Sequence, residues 1–388
     1  MKTAAKFLLK ATICVAASAL LLGNNTVQAE TLKIGYIGPM TGGGAPWGIS
    51  GAEGIRFAAD DINAKDGLKV GDKTYQVDVI AYDDKYSAAE AVSAYNRLVF
   101  QDGVKYLVCL TGTATLALKD HFETDKILTF TASYGDKQFD AQTKYLFRSY
   151  APPRLYIKPV VAWMKNNLKG QNVVILNPND EVGWDQESTA KEGFASGGYK
   201  LLAAERYERS VKDFQPLLTR ILAMKPDLID LGAGAPATSG IIVRQARELG
   251  YDRLFVKTGG AALAEILAAA GPQGAEGTVN LLWADSTNSE FLRLAEKFKK
   301  SKGQSPNEMM AVTYDGARIM IDAIAKAGTT DPEKVLGSFG KVFPYTTLEG
   351  DKVSLAGLES NGLPREVNSV SVIGAIKDGK IVLVGKVQ

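Results

Sequence analysis

From Leu32 the chain alternates apolar positions, Leu32, Ile34 and Tyr36, before a stretch of glycine and proline between Gly38 and Pro46. Apolar positions then recur at Ile49, Ala52, Ile55, Ala59 and Ile62. A period of two followed by one near 3.6 predicts a strand, a glycine loop and an amphipathic helix. The loop leaves the strand at its carboxyl end, where open α/β sheets bind their ligands, and it carries one large ring, Trp47.

The same rhythm continues. Strands are predicted at Tyr75–Tyr82, Lys105–Leu110 and Ile127–Thr131, with a helix over Ala88–Phe100 and another running through His121. Such βα alternation specifies a parallel sheet covered by helices on both faces. The rhythm breaks at Tyr145–Pro153, where two prolines suggest a crossover between domains. A second series follows, with strands at Val173–Leu176, Lys200–Arg206, Asp227–Leu231 and Leu254–Lys257 and helices between them. A second break comes at Thr278–Thr287. Helices are then predicted at Glu290–Ser301 and Ala311–Ala327, and Asp378-Gly379 marks a closing hairpin.

Composition changes this picture at the amino end. Lys2, Lys6 and Lys10 precede an apolar run from Ala11 to Gly23, and Val27 and Ala29 are small residues before Glu30. Residues 1–29 therefore read as a secretory signal, predicting an exported, periplasmic protein. Cys14 lies too early in the run for a lipidation site. The rest of the 388 residues exceeds one ordinary core, so two domains are expected. With 45 basic and 43 acidic residues, three of the lysines in the signal, the charge balance calls for neither nucleic acid nor an anionic membrane.

Catalytic chemistry finds little support. Cys109 falls inside an apolar strand, and a buried thiol there is inert. The single histidine, His121, has no metal partners at ligand spacing. No GxSxG, P-loop or HExxH occurs, and Pro46 and Trp47 interrupt any GxGxxG spacing around Gly42–Gly44. No metal, no cofactor and no enzymatic activity are expected.

Several segments, in order, resemble the leucine/isoleucine/valine-binding proteins of bacterial ABC importers. They are Leu32–Asn63 with its GPMTG loop, Tyr82-Asp83-Asp84, Val243-Arg244-Gln245-Ala246-Arg247 and TYDGAR from Thr313 to Arg318. The resemblance implies the type I periplasmic binding fold, an α/β architecture of two Rossmann-like lobes joined by three crossovers. The amino-terminal lobe would take residues 30–148 plus 282–342, and the carboxyl-terminal lobe 149–281 plus 343–388. It further implies a monomer that captures a small carboxylate or amino acid by lobe closure and delivers it to a membrane permease. A sensing module of the same fold, feeding a signalling receptor, is the alternative.

Carried onto this chain, the resemblance places the solute's carboxylate, and any ammonium, at Thr111-Gly112-Thr113 and Ser133-Tyr134-Gly135. Hydroxyls and free amides at a helix amino terminus suit a carboxylate. The plainer alternative makes Thr113 a helix cap and Ser133 a turn residue. Trp47 and Trp184 are expected to wall the cleft from opposite lobes, or else to serve only as core. Two positions depart from the family pattern. The loop that usually bears an acidic residue reads Thr258-Gly259-Gly260, and a usual tyrosine position falls at Gly234. Burying an ammonium without a carboxylate is costly. Either Asp180, Glu181 or Asp285 substitutes, or the solute lacks an α-ammonium. An organic carboxylate, aromatic ones included, is favoured, with branched-chain amino acids close behind.

Overall fold

The computed structural model describes residues 30–387, so the expected signal lies outside the described residues. One sheet is begun by β1 (Glu30–Gly38), β2 (Leu68–Val70), β3 (Lys73–Asp83), β4 (Tyr106–Cys109), β5 (Leu128–Thr131) and β6 (Leu146–Arg148). A second comprises β7 (Asn172–Pro178), β8 (Lys200–Tyr207), β9 (Leu228–Asp230), β10 (Leu254–Lys257) and β11 (Val279–Leu282). Within each, the parallel strands follow one pattern: second, first, third, fourth, fifth. In the first lobe this is β3-β1-β4-β5-β6, and in the second β8-β7-β9-β10-β11. This is a doubly wound order, repeated in two lobes.

The helices that cover the first sheet include α1 (Ala45–Asn63), α2 (Ala88–Asn96) and α3 (Gly112–Thr124). The second lobe carries α4 (Pro153–Asn167), α5 (Glu181–Ser196), α6 (Gln215–Ala223), α7 (Pro236–Glu248) and α8 (Leu263–Ala275). After β11 the chain returns to the first lobe with α9 (Ser289–Lys302) and α10 (Met309–Ala327). Helix α10 lies against α1, and its Thr313 hydroxyl donates to the Gly51 carbonyl at 2.8 Å. A Cβ at Gly54 would strike the Met310 carbonyl, so glycine inside α1 is what lets these helices meet so closely.

The tail corrects one expected boundary. Strands β12 (Tyr345–Thr346), β13 (Lys352–Ala356) and β14 (Glu366–Asn368) extend the first sheet, not the second. Strand β14 pairs in parallel with β6, with Glu366 opposite Arg148, and the two buried side chains approach to 3.3 Å. Only β15 (Ser371–Lys377) and β16 (Lys380–Val387) join the second sheet, as an antiparallel hairpin beside β11. The chain thus crosses between lobes three times: after β6, after β11 and between β14 and β15.

Candidate functional site

In a doubly wound sheet the crevice opens at the carboxyl ends of the strands, where the strand order reverses. Here two such edges face each other. A cavity of about 30 Å³ lies between them. Nearly every strand end contributes to it. From the first lobe come Tyr86 after β3, Leu110 to Gly112 after β4, and Ala132 and Tyr134 after β5. From the second come Val182, Ala233 and Gly259, after β7, β9 and β10. Trp47, Tyr150, Trp283 and Met309 complete the lining. Five of these side chains are aromatic and none is charged. A wider groove of about 690 Å³ near Asp61 and Lys65 opens at the carboxyl end of α1, the end of the lobe away from the cleft.

On the first-lobe wall, Thr111 caps α3, its Oγ1 accepting from the Ala114 amide at 3.3 Å. The cap is therefore Thr111 rather than Thr113. The Thr113 Oγ1 is buried with no protein partner among the described residues. The Gly112 and Thr113 amides belong to the first helical turn, which has no intrahelical acceptors to offer them. Ser133 faces inward, its hydroxyl donating to Gln138 Oε1 at 2.6 Å. Arg148 fixes this loop by donating to the Tyr134 and Gly135 carbonyls at 3.0 and 2.6 Å. Only Tyr134 of the three expected residues there reaches the cavity. Gly135 instead marks a lobe contact, where a Cβ would meet the Asp185 carboxylate.

Trp47 sits in the first turn of α1, not in a loop as its sequence suggested. Its ring lies 6.0 Å from that of Trp283, which lies 5.3 Å from Tyr150. Tyr86 holds a left-handed backbone with φ of 61°, a conformation tyrosine rarely adopts. Asp84 stabilises it by accepting the Tyr86 amide at 2.8 Å. The Arg209 guanidinium, from the second lobe, stands 4.0 Å over the Tyr86 ring. Burial pushes the Tyr86 phenol up to about 12, against the pull of Arg209.

The second-lobe wall is built mostly from backbone, with Tyr150 and Val182 as its larger side chains. Lys257, fully buried, donates to the Gly232 and Gly234 carbonyls at 2.7 Å each and to Gly259 at 3.4 Å. Asp230 accepts from the Thr258 amide and hydroxyl at 3.0 and 2.7 Å and from the Gly232 amide at 3.1 Å. Asn177 receives the Ala233 amide at 2.9 Å and passes its own N–H to Gln186. Burial lowers the Lys257 ammonium to about 7, partly offset by Asp230, and raises the Asp230 carboxyl. Gly259 admits no side chain, because a Cβ there would lie 2.8 Å from the Gly232 backbone. At Gly234 the space is taken by the Tyr207 hydroxyl, 2.7 Å from where a Cβ would stand.

Trp184 is a correction: it is 40% exposed and lies outside the cavity lining, its indole donating to Asn179 at 3.1 Å. Val182, two residues earlier at the start of α5, faces the cavity instead. Of the acids considered as ammonium partners, none lines the cavity. Asp180 caps α5 through Gly183 and pairs with Arg209, and Asp285 binds its own loop at Thr287. His121 is exposed on α3, and burial holds the Cys109 thiol protonated by raising its pKa. Sequence reasoning missed Tyr86, Tyr150, Trp283 and Lys257. The strand-end rule already in use would have found Trp283, which directly follows β11.

A model of the periplasmic binding protein family matches residues 31–362. The leucine-, isoleucine-, valine-, threonine- and alanine-binding protein of Pseudomonas aeruginosa is 26% identical over 313 residues, covering 80% of this chain and 82% of that one. Among solved structures, a branched-chain amino acid transporter substrate-binding protein of Streptococcus pneumoniae, in complex with isoleucine, aligns with a TM-score of 0.78 at 22% identity. That alignment covers 92% of this chain and 99% of the other. An ABC transporter solute-binding protein from R. palustris, in complex with benzoate, aligns at 0.77 with 17% identity, covering 92% and 96%. At such identities the two structures speak to fold alone.

Proposed function

The chain belongs to the periplasmic binding protein family, and from that premise we propose that it is an extracytoplasmic receptor that captures a small organic carboxylate for an ABC importer. The lobes we assign are 30–148 with 282–342 and the strands of 345–368, against 149–281 with the hairpin of 371–387. The observation that carries this reading is the cleft itself. An uncharged, largely aromatic cavity meets a helix amino terminus at Thr111 and Gly112, with Thr113 next along the helix. Amides and a hydroxyl there suit a carboxylate, at about 1.5–3 kcal/mol for each charge-assisted bond. The rings of Trp47, Trp283 and Tyr150 suit an apolar or flat body.

The lining holds no carboxylate for an ammonium. The reading therefore ranks an aromatic or aliphatic acid without an α-ammonium above the branched-chain amino acids. Closure delivers the solute to a membrane permease, and the protein returns it unchanged.

A thermal-shift panel of amino acids and of aromatic and aliphatic acids tests this, with NMR of each mixture to detect turnover. A binder present at a hundred times its Kd should stabilise the protein by about 2.7 kcal/mol. Strong stabilisation by leucine or valine and by no simple acid would refute the ranking. Conversion of any compound would refute the receptor.

A further inference from the structure

Beside the cavity, the two lobes meet at one carbonyl oxygen. The Trp47 indole of the first lobe donates to Ala261 O of the second at 2.9 Å. The Asn307 side-chain amide, also of the first lobe, donates to the same oxygen at 3.3 Å and to Glu265 Oε1 at 3.2 Å. Each half of this contact is fixed by its own lobe. Asn307 is held by its backbone amide, which donates to Ser50 Oγ at 2.8 Å, and by its Oδ1, which accepts from Met309 at 3.1 Å.

Opposite, Asn280 donates to the Lys257 and Gly260 carbonyls at 3.0 and 2.9 Å and accepts the Ala262 amide at 2.7 Å. That holds the Ala261 carbonyl outward from its loop. Gly260, with φ of 110°, is where this loop turns, and a Cβ there would stand 3.1 Å from the Trp47 ring. Trp47 lines the cavity; Asn307 does not.

We propose that Asn307 is a positioning residue for solute capture, a latch that forms only between closed lobes and sets how long any solute is retained. The proposal rests on the reading of the chain as a carboxylate receptor. Because Asn307 touches the opposite lobe and not the cavity, it acts on closure and not on choice of solute. Its bonds form after encounter. Their loss therefore appears in the dissociation rate, while the association rate and the ranking of solutes stay as they are.

The test is stopped-flow tryptophan fluorescence of the wild type, Asn307→Ala and Asn307→Asp with benzoate and with L-leucine. Asn307→Asp keeps the acceptor for Met309 but turns the donor into a carboxylate facing Ala261 O and Glu265, so it preserves the local fold while opposing closure. Losing two hydrogen bonds should raise the dissociation rate about tenfold for whichever probe binds. The association rate should hold, and so should the melting temperature of the free protein. Where both probes bind, their affinity ratio should not change.

An unchanged dissociation rate in both variants, or a shift in the ratio of the two affinities, overturns the latch and leaves the receptor reading standing. If neither probe binds the wild type, the reading of a receptor for these acids fails, and the latch fails with it.

Discussion

The two walls of the cleft are made differently. The first-lobe wall presents groups: a helix amino terminus at Thr111 and Gly112, and the rings of Trp47, Tyr86 and Tyr134. The second-lobe wall presents mostly shape. Ala233 and Gly259 offer almost no side chain, and the polar groups behind them are spent on one another and on the backbone. On the proposed reading, one wall binds and the other is held rigid to close over it. A charge buried behind glycine loops, such as Lys257, then counts for the geometry of the site without touching a solute.

This contrast can be broken by substitution. The largest effect is expected from Lys257→Met, which strands three carbonyls and leaves Asp230 without its cation. Breaking a buried charge network of this kind costs about 3–5 kcal/mol, to be read by urea unfolding. A loss under 1 kcal/mol would show that the second wall is not held by Lys257. Next is Trp47→Ala on the binding wall. It should weaken binding roughly tenfold to a hundredfold, with the fold intact, since a buried ring and its hydrogen bond are worth about 1.4–3 kcal/mol. The matched control is Trp184→Ala, which should leave affinity unchanged because Trp184 faces solvent. Global unfolding of Trp47→Ala would make that ring core and not wall.

On the proposed reading, the two threonines at α3 separate a structural hydroxyl from a binding one. Thr111→Ala removes a helix cap and should cost about 1 kcal/mol of stability. Thr113→Val should leave stability within about 0.5 kcal/mol and weaken carboxylate binding about tenfold. If the effects came out reversed, the roles assigned to these neighbours would be exchanged.

A smaller, global effect follows from buried acids. Burial raises Glu308 and Asp315 to about 8, with Glu265 adding to the first and Glu349 to the second, and raises Glu349 to about 7. Their folded-state values stand above the unfolded ones, so the native state holds protons that the unfolded chain releases. Stability should be fullest below about pH 4.5 for these groups and decline as pH rises towards 8. Lys257, lowered to about 7, has the opposite sign and should add stability from pH 7 upward, flattening the curve there. Melting curves of the wild type and Glu308→Gln check this: the substitution should make the fall between pH 5 and 7 shallower, and an unchanged slope would contradict it.

Strong periodicity made the repeated βα units legible, because Leu32–Tyr36 and Val173–Leu176 each carry their own local signal. The segment 345–368 carried none. Its strands are two, five and three residues long, and β14 is placed by pairing with Arg148, more than two hundred residues earlier. The site was partly legible for the same reason. The end of β4 pointed to Thr111 and Gly112, whereas helix phase decides between Val182 and Trp184. Those two residues lie on different faces of α5, and composition favoured the larger ring. In the sequence Lys257 merely closes a strand, since only the folded loops show that three carbonyls converge on it.

Capture of a carboxylate by the cleft is the proposed function. Isothermal titration of the wild type with benzoate and with benzamide, its uncharged isostere, tests it most directly. Benzoate should bind saturably, one to one, and benzamide, with the charge-assisted bonds at the α3 amino terminus lost, should bind at least about tenfold more weakly. Equal affinity for the two, or binding of benzamide alone, would contradict it.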